Sequence, residues 1–283
     1  MMMKEALHRA SKTLASAHVE DARLEAELLL MHLLGIDRAG LYLRLGEELS
    51  PHNAEALSQL LERRLRHEPI AYILGHREFF GHDFHVAPEA LIPRPESELL
   101  VEKALALVES RFPQRDPVIA DIGTGCGAIA ISLALLLPRA RIYATDISSQ
   151  ALNIARLNCE RYGVADRVHF LQGNLLDPLP EPVGIIMANL PYVRDEEMGQ
   201  LSPEIRLFEP LSALAGGEDG LDKVRHLLAH AWTKLRPKGC IILEIGEGQG
   251  EKAVSIAKAF FPQAAVELTK DLGGIDRAIS IVT

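Results

Sequence analysis

Over residues 20–34 the apolar positions fall at helical spacing, and Gly35 follows as a C-cap. Ser50-Pro51 is a helix start, with Ser as N-cap and Pro at the first helical position. Ala54, Leu57, Leu61 and Leu65 then share one face, and Pro69 stops the helix. Residues 1–75 are therefore expected to form an all-α domain. Residues 76–96 change character: aromatics alternate with polar residues, Gly81 suits a turn, and three prolines exclude a long helix. A β-hairpin linker is the expected structure. From residue 97 the period switches back and forth. Helices are expected at 97–112, 127–137, 148–162, 220–235 and 249–261. Strands are expected at 118–122, 141–145, 168–172, 183–188, 241–245, 264–268 and 278–282. Alternation of this kind makes a mostly parallel seven-stranded sheet covered on both faces, with the last two strands pairing antiparallel across a short loop. Residues 97–283 would be this α/β domain.

Composition adds little to that picture but removes some partners. At 283 residues, 48% hydrophobic and 24% charged, the chain suits two ordinary globular domains. Net charge is −9, and Asp and Glu outnumber Lys and Arg both before and after residue 98. Neither part has the basic surplus of a protein that grips a phosphate backbone, so no direct nucleic-acid partner is expected. The tightest basic cluster, Arg63, Arg64 and Arg66, reads as a solvated helix face. Cys126, Cys159 and Cys240 lie far apart, which fits a reducing compartment rather than a disulfide framework. No stretch reads as a leader peptide or approaches the ~18 apolar residues of a membrane span, so a cytoplasmic location is expected. His82 and His85 lack acidic or Cys partners at usable spacing, and no metal is expected.

Two short stretches carry the candidate chemistry. Asp121-Ile-Gly-Thr-Gly-Cys-Gly127 follows an apolar strand and opens a helix. Side chains at Gly123, Gly125 and Gly127 would block a ligand or strain the turn, and the helix beyond offers unpaired N–H groups. The loop 123–127, Thr124 and Cys126 included, is a candidate cofactor cradle. Asp146, ending the next strand, can accept both hydroxyls of a ribose. Gly123-x-Gly125-x-x-Ala128 also satisfies a dinucleotide pattern, so the glycines alone leave a nicotinamide cofactor open. Asp121 weighs toward S-adenosylmethionine, because an acid there suits an ammonium and a sulfonium and repels a pyrophosphate. Asn174 is placed to meet an adenine edge, with Leu175 packing on its face.

The second stretch, Asn189-Leu190-Pro191-Tyr192, ends the strand at 183–188. An amide nitrogen is a poor nucleophile because its lone pair is delocalised into the carbonyl. A site that accepts both of its N–H bonds draws it toward tetrahedral geometry and frees the pair for in-line attack on a methyl group. Asn189 Oδ1 and the Leu190 carbonyl are the two acceptors expected, Pro191 stiffens the turn, and Tyr192 offers a face for a flat group. Alignment and electrostatics would then carry the rate. An aromatic amine is served by the same chemistry.

The chain resembles the protein-glutamine methyltransferases of the HemK/PrmC type. The likeness runs through DARLEAELLL at 21–30, EPIAYILGHREFFG at 68–81, LIPRPESE at 91–98 and DIGTGCGAIAISLA at 121–134. It continues through ATDIS at 144–148, EPLSALAGGEDGL at 209–221, EIGEGQ at 244–249 and DLGGIDR at 271–277. The resemblance implies a class I, Rossmann-like methyltransferase domain behind an N-terminal helical domain that docks the substrate. It implies methylation of the glutamine in the GGQ motif of class-1 peptide chain release factors, with S-adenosylmethionine as donor and S-adenosylhomocysteine as product. Gly123–Gly127, Asp146 and Asn189 would bind the cofactor, and residues 189–192 would hold the glutamine. Three positions depart from the family's habit: Leu190 stands for Pro, Ser97 for Thr and Asn174 for Asp. Rival readings are a glutamine methyltransferase of a ribosomal protein, an adenine methyltransferase of nucleic acid, a nicotinamide oxidoreductase and a non-catalytic binding module.

Overall fold

The computed structural model describes residues 1–112 and 117–283, which divide into two compact units. The first is Met1–Gly75 together with Ser202–Phe208; the second is His76–Leu201 with Glu209–Thr283. The expected 97–283 domain therefore lends a short segment to the helical unit, which periodicity alone gave no reason to anticipate.

Helices α1 (Met3–Ser16), α2 (Ala22–Leu34), α3 (Arg38–Leu43), α4 (Pro51–Leu65) and α5 (Ile70–Leu74) build the first unit. Its local signals act as expected. Gly35 takes the left-handed conformation (φ 62°) that closes α2, and Ser50 Oγ accepts from the Asn53 N–H at 3.1 Å to cap α4. Leu7, Leu14, Leu29, Leu30 and Leu41 form a dry centre. The apolar face of α4 is narrower than expected, for Leu57 is buried while Leu65 lies exposed.

Arg64 overturns the reading of a solvated basic face. It is 4% exposed and grips Glu25 of α2 through two bonds of 2.6 and 3.1 Å. A further bond of 2.5 Å reaches Glu204, in helix α9 (Pro203–Phe208), the segment that joins this unit. Its neighbour Arg63 pairs with Glu68. A buried ion pair is strongly destabilised when one partner is removed, because the other charge stays behind without compensation. Arg64→Ala is therefore expected to reduce the stability of this unit by about 3–5 kcal/mol. The check is the shift of its urea midpoint against that of Arg66→Ala, a change at an exposed site.

The second unit begins with the hairpin of β1 (His76–Phe79) and β2 (His82–His85), paired antiparallel. Both turn residues, Phe80 and Gly81, have positive φ (51° and 74°), the geometry that matches strand twist in a two-residue turn. Asn158 fastens this hairpin by accepting from the His85 N–H at 2.7 Å and donating to the His85 carbonyl at 2.9 Å.

The remaining strands and helices follow in the order α6 (Glu98–Arg111), β3 (Val118–Ile122), α7 (Ala128–Leu136), β4 (Arg141–Asp146), α8 (Ser149–Arg161), β5 (Val168–Gln172) and β6 (Val183–Ala188). After β7 (Val193–Arg194), α9 and β8 (Ala215–Gly217) come α10 (Asp222–Lys234), β9 (Leu235–Glu244), α11 (Gly250–Phe260), β10 (Ala265–Lys270) and β11 (Asp276–Val282). The short parallel ladder of β7 and β8 was not expected; two or three residues carry no readable period. The main sheet is seven-stranded, in the order β10-β11-β9-β6-β3-β4-β5. It is parallel except for β11, which runs antiparallel to both β9 and β10. Strands β3 and β6 are buried along their whole length, which explains their unbroken apolar runs.

The strand order decides where chemistry can occur. The chain builds outward from β3 through β4 and β5, then returns to lay β6 on the other side of β3. Ile122 pairs with Ala188 in that ladder, so the next residues, Gly123 and Asn189, emerge side by side. This is the switch in strand order at which open α/β sheets bind ligands. Among the described residues no helix is long and apolar enough to cross a membrane.

Candidate active site

The loop after β3 is clamped from β4. The N–H groups of Gly123 and Thr124 both donate to the Thr145 carbonyl, at 2.8 and 2.9 Å. Asp146 accepts from the Gly125 N–H through Oδ2 and from the Ser148 N–H through Oδ1, each at 2.9 Å. Burial raises the Asp146 carboxyl above its ordinary pKa. Gly123 has φ 74°, and a Cβ there would sit 3.5 Å from both the Asn189 carbonyl and Leu190 Cδ2, so the two candidate stretches touch at this glycine. Gly127 serves packing instead. A Cβ on it would lie 2.9 Å from Ile131 and 3.1 Å from Ala155, within the contact of α7 with α8.

A cavity of about 680 Å³ opens at this end of the sheet. Eight of the expected residues line it: Gly123, Gly125, Asp146, Asn174, Leu175, Asn189, Leu190 and Pro191. Leu175 adopts a positive φ of 45°, and its carbonyl accepts from Thr145 Oγ1 at 3.0 Å. Asp121, Thr124, Cys126 and Gly127 stand behind the wall. Thr124 Oγ1 donates to Asp121 Oδ2 at 2.6 Å, and burial lifts the Asp121 carboxyl to about 6. Its other oxygen, Oδ1, is buried and has no hydrogen-bond partner among the described residues. The Cys126 thiol is buried and pushed up to about 12, which leaves it inert as a nucleophile. Tyr192 lies outside the cavity too, lining a smaller one with Glu197, Gln200 and Gln249.

The Asn189 amide is tethered from behind. Its Nδ2 donates to Ser97 Oγ at 2.9 Å, and Ser97 Oγ donates in turn to Glu244 Oε2 at 2.6 Å. Ser97 and Glu244 are 3% and 1% exposed. With Nδ2 so engaged, Oδ1 is the atom left to act as acceptor. The Tyr192 carbonyl accepts from Gln249 Nε2 at 2.9 Å, while Gln249 Oε1 accepts from the Gly246 N–H at 2.8 Å. No hydrogen bond among the described residues engages the Leu190 carbonyl. Two acceptors beside one another, one amide oxygen and one peptide carbonyl, suit the two hydrogens of an NH2 group.

Sequence reasoning did not anticipate Ser97, Glu244 or Gln249 at the site, nor the walls formed by 88–91 and 210–215. Their signal was present as the dense family likeness at 91–98, 209–221 and 244–249. Arg94 and Glu209 belong to the same set. Their 2.5 Å ion pair, with Glu209 4% exposed, fixes the chain where Pro210, Ser212 and Ala213 enter the cavity wall. His82 meets the Tyr162 ring edge-on, and no group of three or more His, Cys, Asp or Glu among the described residues could hold a metal.

Comparison with known proteins extends this geometry. Residues 5–75 match the family model described as the PrmC N-terminal domain, and residues 97–205 match the methyltransferase small domain. A curated protein of Moorella thermoacetica, named release factor glutamine methyltransferase, is 44% identical over 98% of this chain and 97% of its own length. One of the same name from Gloeobacter violaceus is 41% identical over 95% and 93%. Among solved structures, a methyltransferase from Pyrococcus furiosus shares the fold, with a TM-score of 0.53 at 21% identity over 80% of this chain and 98% of that one.

Proposed function

The chain belongs to the release factor glutamine methyltransferases, and from that premise we propose how its residues carry out methyl transfer to a release factor glutamine. The observation that carries the reading is the adjacency of Asn189 to the glycine loop, with its Nδ2 already spent on Ser97.

The proposed donor is S-adenosylmethionine, which supplies an electrophilic methyl group on a sulfonium. The residues present fit it. Gly123 and Gly125 leave their backbone bare at the cavity, and Asp146, Asn174 and Leu175 line the same space, where the acid would suit a ribose and the other two a flat base. Asp121, with an oxygen lacking a donor, supports an ammonium group nearby. The nicotinamide alternative leaves both the acid and the amide-holding motif without a task.

Asn189 Oδ1 and the Leu190 carbonyl accept the two N–H bonds of the target glutamine. Held so, its nitrogen loses conjugation with its own carbonyl and aims a lone pair at the methyl carbon. The bound donor would supply a methyl group to that lone pair and leave as a neutral thioether, and the nitrogen, made acidic by alkylation, would release a proton to water. No base is needed before attack, so positioning carries the rate. Asn189 serves both the amide and the cofactor's side of the cavity, while Pro191 shapes the wall. Leu190 places the same carbonyl that a proline would, since every residue supplies one. Its side chain is 5% exposed and rests against the glycine loop. Tyr192, behind that wall, supports the turn through its backbone rather than by forming the cavity face.

The substrate proposed is the GGQ glutamine of class-1 release factors, docked by the helical unit. The acidic chain supports a protein partner over a nucleic acid. The proposed compartment is the cytoplasm, where release factors work. Purified release factor is expected to take up labelled methyl from S-adenosylmethionine, and its GGQ glutamine→alanine variant is expected to take up none. Labelling of a ribosomal protein or of adenine in RNA, with the release factor unlabelled, would overturn the substrate assignment.

A further inference from the structure

Asn189 presents an acceptor to the substrate only if its amide is turned the right way. The two orientations of an amide differ by exchange of NH2 and O, which have nearly the same shape. The turned form would offer NH2 to the glutamine's own NH2, donor against donor. Something must select between them, and the cavity face alone does not.

The selection comes from behind. An ionised carboxylate only accepts hydrogen bonds, and a hydroxyl has one hydrogen to give. Glu244 Oε2 lies 2.6 Å from Ser97 Oγ, so Ser97 gives its hydrogen to Glu244. What Ser97 keeps toward Asn189, 2.9 Å away, is a lone pair, and only the Nδ2 face of the amide can satisfy it. We infer that Glu244 is a positioning residue for methyl transfer, acting through Ser97 to hold Asn189 Oδ1 toward the substrate. The inference rests on the reading of Asn189 as the glutamine's acceptor.

The polarity of this chain reverses when Glu244 takes a proton. A neutral carboxyl can donate to Ser97, Ser97 can then donate to Asn189, and the amide turns its oxygen inward. Both orientations become satisfied, and the useful one loses its preference. Such an exchange lies within reach near neutrality, because burial lifts the Glu244 carboxyl to about 7. Its surroundings divide. Ser97 donates to it, Arg277 on β11 and the Tyr192 phenol favour its charged form, and Glu96 beside Ser97 opposes it. Loss of solvent, with the same carboxylate alongside, pushes the Tyr192 phenol up to about 12, so Tyr192 stays neutral throughout. The Glu244 carboxylate is 1% exposed, with the Tyr192 phenol as its second side-chain donor beside Ser97. A carboxylate so poorly solvated is costly as a mere packing element, and the chain it drives supplies the reason to keep it.

Glu244→Gln tests this, because a neutral amide can either give to or accept from Ser97 and so imposes no direction. The variant is expected to lower kcat by about 10–100-fold, the usual cost of losing a group that orients an active-site ligand. S-adenosylhomocysteine binding by calorimetry should stay within about 2–3-fold, which also reports that the protein is folded. Wild-type kcat should rise with pH through a midpoint near neutrality, and the variant's profile should be flat from about pH 6 to 8. Ser97→Ala should lose kcat to a similar degree and Ser97→Thr, which keeps the hydroxyl, should recover most of it. The Glu244→Gln, Ser97→Ala double variant should be no worse than either single one, as members of one chain are not additive. A Glu244→Gln enzyme with wild-type kcat, or one slowed but with the wild-type pH profile, would overturn the inference. Should that variant fail to fold, equal loss of kcat in Ser97→Ala and Ser97→Thr would overturn it instead. Asn189→Ala separates the two levels: full activity there would sink the acceptor reading itself, whereas a dead Asn189→Ala beside an unaffected Glu244→Gln sinks only the relay.

Discussion

Asn189→Ala is expected to lower kcat for release factor methylation by about 10²–10³-fold, some 3–4 kcal/mol of transition-state stabilisation. The size follows from what the side chain does. In the proposed role its oxygen accepts from a nitrogen whose N–H bonds become more acidic as the methyl group arrives, so the bond would be strongest in the transition state. Truncation removes that acceptor and also leaves Ser97 Oγ without its donor, since Nδ2 engages it at 2.9 Å. Cofactor affinity should fall much less, because the glycine loop, Asp146 and the 174–175 wall remain. Single-turnover transfer and S-adenosylhomocysteine binding, measured side by side, check the split. Equal losses in both would make Asn189 chiefly a cofactor residue and move the acceptor elsewhere.

For Asp146→Ala the expected pattern is the opposite, with affinity lost first. This carboxylate accepts from the Gly125 and Ser148 N–H groups, so it holds the glycine loop to the end of β4 while facing the cavity. The proposed ribose would add two more bonds to the same acid. Hydrogen bonds to a charged group are worth about 1.5–3 kcal/mol each, so S-adenosylhomocysteine affinity should drop by about 10²–10³-fold. The fold should tolerate the change, as the Gly123 and Thr124 clamps to the Thr145 carbonyl persist. Calorimetric titration gives the answer directly. Unchanged affinity with slowed transfer would place the ribose away from Asp146.

The expected elements were recovered along most of the chain where they were long or punctuated. The αL glycine after α2, the Ser-Pro start of α4 and the apolar runs of β3 and β6 are local features, and each folds as its own residues dictate. Failures occurred where distant partners decide. Arg64 looks solvated by spacing, but Glu25 and Glu204 make it one of the most buried charges in the chain. The segment Ser202–Phe208 lies within the span expected for the α/β domain and belongs instead with the helical unit.

By itself the sequence determined the two kinds of unit, the glycine loop and the Asn-Leu-Pro-Tyr turn after β6, because hydrophobic period, glycine placement and proline punctuation act within a few residues of where they are written. Only the tertiary structure decided that Gly123 and Asn189 emerge together, since that depends on β6 returning to pair with β3 across intervening strands and helices. It alone brought Glu244, from the far end of β9, behind Ser97 and Asn189. A hydrogen bond's direction is set by which groups meet, and residues as far apart as 97, 189 and 244 meet only when the sheet has closed between them.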